Sequence, residues 1–145
     1  MKIFRLLLIV LSVCGLVGVR IVEDHLFYDP FIHYFKGLNK STVFPEVEML
    51  RLSINHFFRF ILNLIFSCAL IHLIFKRKLW TLQALILMVL VYFLVFPIYL
   101  YCVHTKFEIG TLFTFYVRRF VIQPILVLIL IPIFFYRKHL EKSNL

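Results

Sequence analysis

The sequence predicts an all-α polytopic membrane protein with four transmembrane helices and an aromatic external loop between helices one and two. Three observations point there. Of the 145 residues, 63% are hydrophobic, which is more apolar surface than a soluble domain of this size can cover, so the bilayer is the solvent. The apolar residues fall into four runs, each near the roughly 20 residues that a helix needs to cross the hydrocarbon. The Lys and Arg residues flank those runs, which is how cations are placed around membrane spans. The net charge of +9 therefore belongs to the membrane topology. With the spans removed no basic surface domain remains for nucleic acid.

The first span covers about residues 3–22, behind Lys2 and Arg5. Leu11-Ser12-Val13-Cys14 makes a poor lipoprotein cleavage box because Val13 stands just before the cysteine. No small-residue signal-peptidase site accompanies it, so the span reads as a retained anchor. A loop over about residues 23–51 follows, with Glu23, Asp24, Asp29, Glu46 and Glu48. Its segment His25 to Lys36 is aromatic and mildly amphipathic, with Asp29-Pro30 as a helix-start signal and Gly37 and Asn39 as stops. A short helix near 30–36, then irregular chain to Pro45, fits two placements: flat in the membrane interface, or folded over the mouth of the bundle.

The second span covers about 52–75 and the third about 79–103, with a kink expected at Pro97. The fourth covers about 112–136, with Pro124 and Pro132 inside it. Lys76, Arg77 and Lys78 separate spans two and three, and Arg137, Lys138 and Lys142 follow span four. With Lys2 and Arg5, these clusters fall on one side of a four-span protein. That side is expected to be cytoplasmic, with both termini there. The whole chain, 1–145, reads as a single transmembrane domain without an internal repeat.

Polar groups inside the spans are the candidates for function. In span two, Arg51, Asn55, Arg59, Asn63 and Ser67 recur every fourth residue, with His56 beside them. Such a stripe turns toward other helices and away from lipid. Span four carries Arg118 and Arg119 within Tyr116-Val117-Arg118-Arg119-Phe120-Val121-Ile122-Gln123-Pro124. Arg119 shares a helical face with Gln123, so Arg119 is the expected inward residue, with Arg118 expected to reach a loop acid or a headgroup instead. Counted from the external side, Arg59, Arg118 and Arg119 lie at about the same depth, roughly 10 Å. Arginines at one level in a membrane need anions. Glu23, Asp24, Asp29 and Glu108, a lipid phosphate or a partner carboxylate are the candidates. The expected anion site is thus Arg59, Arg118 and Arg119 with Asn55, Asn63 and Gln123. The alternative is that the arginines only clamp the loops or snorkel to headgroups.

Cys14, Cys68 and Cys102 have no CxxC spacing, and the six histidines have no zinc pattern, so neither a metal nor another cofactor is expected. A second reading makes the chain a small membrane transpeptidase or protease using Cys14 or Cys102 with His104 and arginine. No local nucleophile motif supports it. Transport is disfavoured by the lack of a repeat or of broken-helix glycines.

The chain resembles the exosortase F system-associated membrane proteins, small multi-span proteins of flavobacteria. The likeness runs through the basic start and first span, then Phe27-Tyr28-Asp29-Pro30-Phe31 with Phe35-Lys36. It continues from Arg59 through Asn63 to Phe75, and through the Tyr116 to Pro124 motif with Ile131-Pro132. The resemblance implies an accessory protein in the inner membrane of a Gram-negative bacterium. Its expected partner is a larger membrane protein such as an exosortase, a transpeptidase acting on C-terminal sorting tails. It does not imply that this chain is itself an enzyme.

Overall fold

A computed structural model describes residues 2–37, 43–123 and 125–143. The described residues form seven helices, in order α1 (Lys2–Ile21), α2 (Glu23–Leu26), α3 (Phe31–Lys36), α4 (Met49–Phe75), α5 (Lys78–His104), α6 (Thr111–Ile122) and α7 (Ile125–Ser143). The described residues contain no strand. Helices α1, α4 and α5 are each long and apolar enough to cross a membrane. At 27 residues apiece, α4 and α5 reach about 40 Å, past a hydrocarbon core of about 30 Å. Large apolar side chains such as Leu6, Leu7 and Leu11 point outward from the bundle. Water would not tolerate that surface and lipid does. The chain is an all-α polytopic membrane protein.

Where a fourth span was expected, the chain forms a bent pair, α6 and α7, inclined by 62°, the geometry of a broken span or of a re-entrant loop. Gln123 takes an extended conformation, φ −107° and ψ 143°. The residue before a proline is pushed off the α region in this way; Pro124 itself lies outside the described residues. A break at membrane depth frees carbonyls that must find donors. Asn63 supplies one: its Nδ2 donates to the Ile122 carbonyl at 2.9 Å. Pro97 and Pro132 lie inside α5 and α7, which continue past them.

Helix α4 is the central element and packs against α1, α5, α6 and α7. Helix α1 runs antiparallel along it. Near the start of α1, Arg5 donates from Nε and Nη2 to the Leu73 and Ile74 carbonyls at 2.6 and 2.7 Å. It thereby satisfies the negative end of the α4 dipole. Farther along, Gly15 lies under the Phe66 ring, where a Cβ would stand 2.4 Å from a ring carbon. That close approach holds α1 to α4 in a setting where packing replaces the hydrophobic effect between helices.

The core divides in two. At one end Ile71, Phe75, Trp80 and Phe134 join α4, α5 and α7. The basic residues gather here: Arg5 reaches the end of α4, Arg77 pairs with Glu141, and Arg137 donates to Gln83. At the opposite, loop end, Phe31 and Phe35 of α3 pack with Leu52, Tyr99, Val103 and Val121. Since Phe31, Ile32 and Phe35 are buried, α3 caps the mouth of the bundle and does not lie flat at its rim. Phe107 is the keystone of that cap, with ring centroids 5.1 to 5.6 Å from Phe31, Tyr34, Phe35 and Phe44. Lys106 and Phe107 both have positive φ, 49° and 65°. Non-glycine residues hold that conformation only when their surroundings over-determine it, as the aromatic cluster does here. Gly37 ends α3; Asn39 lies outside the described residues.

Candidate functional site: a buried arginine and carboxylate cluster

Asp29 begins the site. Pro30 fixes the turn after it, and the Asp29 carboxylate folds back on its own chain: Oδ1 accepts from the Phe31 N–H at 3.2 Å. This is the local bond that makes Asp a helix-start residue. The other oxygen, Oδ2, faces the bundle, where Arg118 Nη2 donates to it at 2.6 Å and Arg59 Nη1 at 3.4 Å. One carboxylate therefore ties the loop to α4 and to α6. The Asp29 side chain is 0% exposed, Arg59 1% and Arg118 6%. Charges so buried must be paired, because desolvating an ion in a low dielectric is costly.

A second acid enters beside it. Glu23 Oε2 lies 3.7 Å from Arg59 Nη2, and Glu23 Oε1 lies 3.0 Å from Arg20 Nη1. Arg59 thus spans two carboxylates with two nitrogens, which its planar fork allows and an ammonium would not. His56 sits above, its ring stacked on Tyr99 at 5.2 Å. Its Nδ1 lies 3.0 Å from the Leu52 carbonyl. A carbonyl only accepts, so Nδ1 carries the proton. His56 Nε2 is 3.8 Å from Asp29 Oδ2, too far for a hydrogen bond. The Tyr99 hydroxyl lies beside Arg118 without reaching full hydrogen-bond geometry. Aromatic faces line the rest: Phe27 under Arg59 at 5.0 Å and Phe35 under Arg118 at 5.7 Å.

The polar stripe of α4 is only partly inward. His56, Arg59, Asn63 and Ser67 are buried, whereas Arg51 is exposed and Asn55 half-buried. Steps of four overshoot a 3.6-residue turn by about 40° each, so the early members leave the core. They still bind the loop: Asn55 Oδ1 accepts from the Tyr28 N–H at 3.2 Å, and Arg51 stacks on the Tyr28 ring at 4.5 Å.

On α6 the expected inward residue was Arg119, and the structure corrects this. Thr114, Arg118, Val121 and Ile122 form the buried face. Arg119 is exposed and stacks on Phe115 at 4.5 Å. The face shared by Arg119 and Gln123 has no continuation, because the helix ends at Ile122; Gln123 instead borders a cleft toward α1. Of the proposed countercharges, Asp29 and Glu23 meet the arginines, and Glu108 is exposed and makes no described ion pair. The side chain of Asp24 lies outside the described residues. Arg20 and Tyr99 were not foreseen. The spacing of Arg20 to Glu23 was a readable signal; Tyr99 lies in a uniformly apolar helix that offers none.

Cys102 is fully buried in the loop-end core, Cys14 is exposed on α1, and His104 is exposed at the end of α5. No described contact joins the cysteines to His104 or to an arginine. Among the described residues no group of His, Cys, Asp and Glu could hold a metal ion. Comparison of the chain with protein-family models, with curated proteins and with solved structures found no match.

Proposed function

We propose that this protein is a non-catalytic accessory subunit of an exosortase-type membrane protein-sorting system. In this reading its arginine cluster binds an anion, either a partner carboxylate or a lipid phosphate. The observation that carries the reading is a surplus of buried donors. Arg59 Nε and Arg118 Nε have no hydrogen-bond partner, and Arg59 Nη2 meets Glu23 only at 3.7 Å, beyond hydrogen-bond range. A cluster serving only to clamp the loop would satisfy its donors, since each orphan group buried in protein costs about 1–3 kcal/mol. The aromatic cap held over the bundle offers an ordered surface beside these donors, suited to a larger membrane protein. The resemblance of the Tyr116 to Pro124 motif supplies the sorting context.

The basic end is the cytoplasmic end in this reading, and the loop end faces outward across a bacterial inner membrane. Reporter fusions at Leu145 and within residues 37–44 should then give opposite readouts; the same readout from both would refute the orientation. Purification in mild detergent should bring down a larger membrane protein together with this chain. A fully active, partner-free monomer would defeat the subunit reading. Loss of function on alkylating the cysteines would favour the cysteine-enzyme alternative.

A further inference from the structure

A cleft of about 400 Å³ lies between α1 and α7, floored by α4. Helix α1 packs along α4 and makes no comparable contact with α7, so the cleft is open between α1 and α7. Its walls are aliphatic, with Val13 and Val17 on α1 facing Leu128 and Ile131 on α7. One end is polar: Arg20, Glu23 and Arg59 meet there, at the break between α6 and α7. Arg59 is 1% exposed; its Nε lacks a hydrogen-bond partner, and its Nη2 meets Glu23 only at 3.7 Å, beyond hydrogen-bond range. Among the described side chains the cluster holds three cations, Arg20, Arg59 and Arg118, against two acids, Glu23 and Asp29. One further negative charge would balance these five groups.

We propose that this cleft holds an acyl chain of an anionic phospholipid, with the lipid phosphate paired to Arg59 at its polar end. The inference rests on the reading of the arginine cluster as an anion site and names its ligand. A peptide competitor fits less well. An extended peptide would lay its N–H and C=O groups along walls that cannot bond them, at a cost of several kcal/mol per group. An acyl chain has no such groups, and a phosphate oxygen accepts what Arg59 has to give.

The test uses the full-length protein, purified in mild detergent, stripped of lipid and titrated while bound lipid is counted by native mass spectrometry. One phosphatidylglycerol should be retained per chain, at least tenfold more tightly than phosphatidylcholine, and millimolar inorganic phosphate should not displace it. Val13→Trp and Leu128→Trp fill the cleft and leave every arginine in place. Each should lower retention at least tenfold with unchanged helical circular dichroism. Glu23→Gln removes the competing acid and should raise retention. Equal binding of the two lipids, unchanged retention in both tryptophan variants, or displacement by phosphate would each overturn the proposal. So would stronger binding of a peptide amphiphile bearing a free C-terminal carboxylate. No partner protein enters this assay. Lipid binding without co-purification would sink only the subunit reading, and co-purification without lipid binding only this one.

Discussion

The two ends of the bundle use the same chemistry under opposite conditions. At the basic end, Arg77 and Arg137 stand over the Trp80 ring at 4.7 and 5.4 Å, and both meet Glu141. At the loop end, Arg59 and Arg118 meet Asp29, with Phe27 and Phe35 beneath them. Each end is two arginines, one shared acid and aromatic faces. The exposures separate them: half of the Arg77 side chain and 36% of Glu141 are exposed, against 1% for Arg59 and none for Asp29. An exposed pair trades water for a partner at little gain, whereas a buried pair has no water to return to. Burial, and not the identity of the partners, decides which acid the fold depends on.

The largest break in that comparison is Asp29→Ala. It removes the acid shared by two buried guanidinium groups and releases the loop from α4 and α6. Breaking a buried pair by deleting one partner costs about 3–5 kcal/mol, and this one acid serves two partners. Thermal unfolding in detergent should show the loss, and limited proteolysis should cut residues 43–48 faster. An unchanged midpoint with a protected loop would mean that the cap holds itself.

Lysine substitutions sharpen the picture within the loop end. Arg59 reaches Asp29 and Glu23 with different nitrogens, while Arg118 makes one bond, from Nη2 to Asp29. An ammonium is a point charge on a flexible stem and can replace the single bond more readily than the bridge. Arg59→Lys should therefore cost about 1.5–3 kcal/mol, the range of a hydrogen bond to a charged group, and Arg118→Lys clearly less. Equal losses would show that the second contact of Arg59, to Glu23, contributes nothing.

Asn63→Leu tests the span break that borders the same cluster. It leaves the Ile122 carbonyl without its donor at membrane depth, for a loss of about 1–3 kcal/mol. Asn63→Gln should recover part of it if the longer amide still reaches. No loss in the leucine variant would mean that the break between α6 and α7 is satisfied by other means.

Some of this was legible in the sequence. The four apolar runs and the basic clusters were readable because membrane solvation acts on composition along the chain, without reference to tertiary contacts. The meeting of Arg59 with a span-four arginine was readable from depth, and Asp29-Pro30 from turn chemistry. The choice between Arg118 and Arg119 was not. It depends on where α6 stops: the helix ends at Ile122, before the face on which Gln123 would have supported Arg119. The exit of Arg51 and Asn55 from the core is a drift of about 40° per step, legible in principle. The shared use of Asp29 by two helices is a fact of tertiary packing, with Glu23, Asp24 and Glu108 equally acidic on the page.

The smallest effect belongs to the basic end. Glu141→Gln removes the acid between Arg77 and Arg137 but keeps the side chain's length. Both arginines retain the Trp80 face, and Arg137 still donates to Gln83 at 3.1 Å. Exposed ion pairs contribute about 0.2–1 kcal/mol, so the midpoint of unfolding should fall within that range. Salt supplies the sharper readout. At roughly 1 M ionic strength the Debye length is about 3 Å, so the small difference between wild type and Glu141→Gln should vanish. The Asp29→Ala deficit, arising where water and ions do not reach, should persist under the same salt. If both deficits faded together, the Asp29 cluster would be far wetter than its burial implies, and the contrast between the two ends would fail.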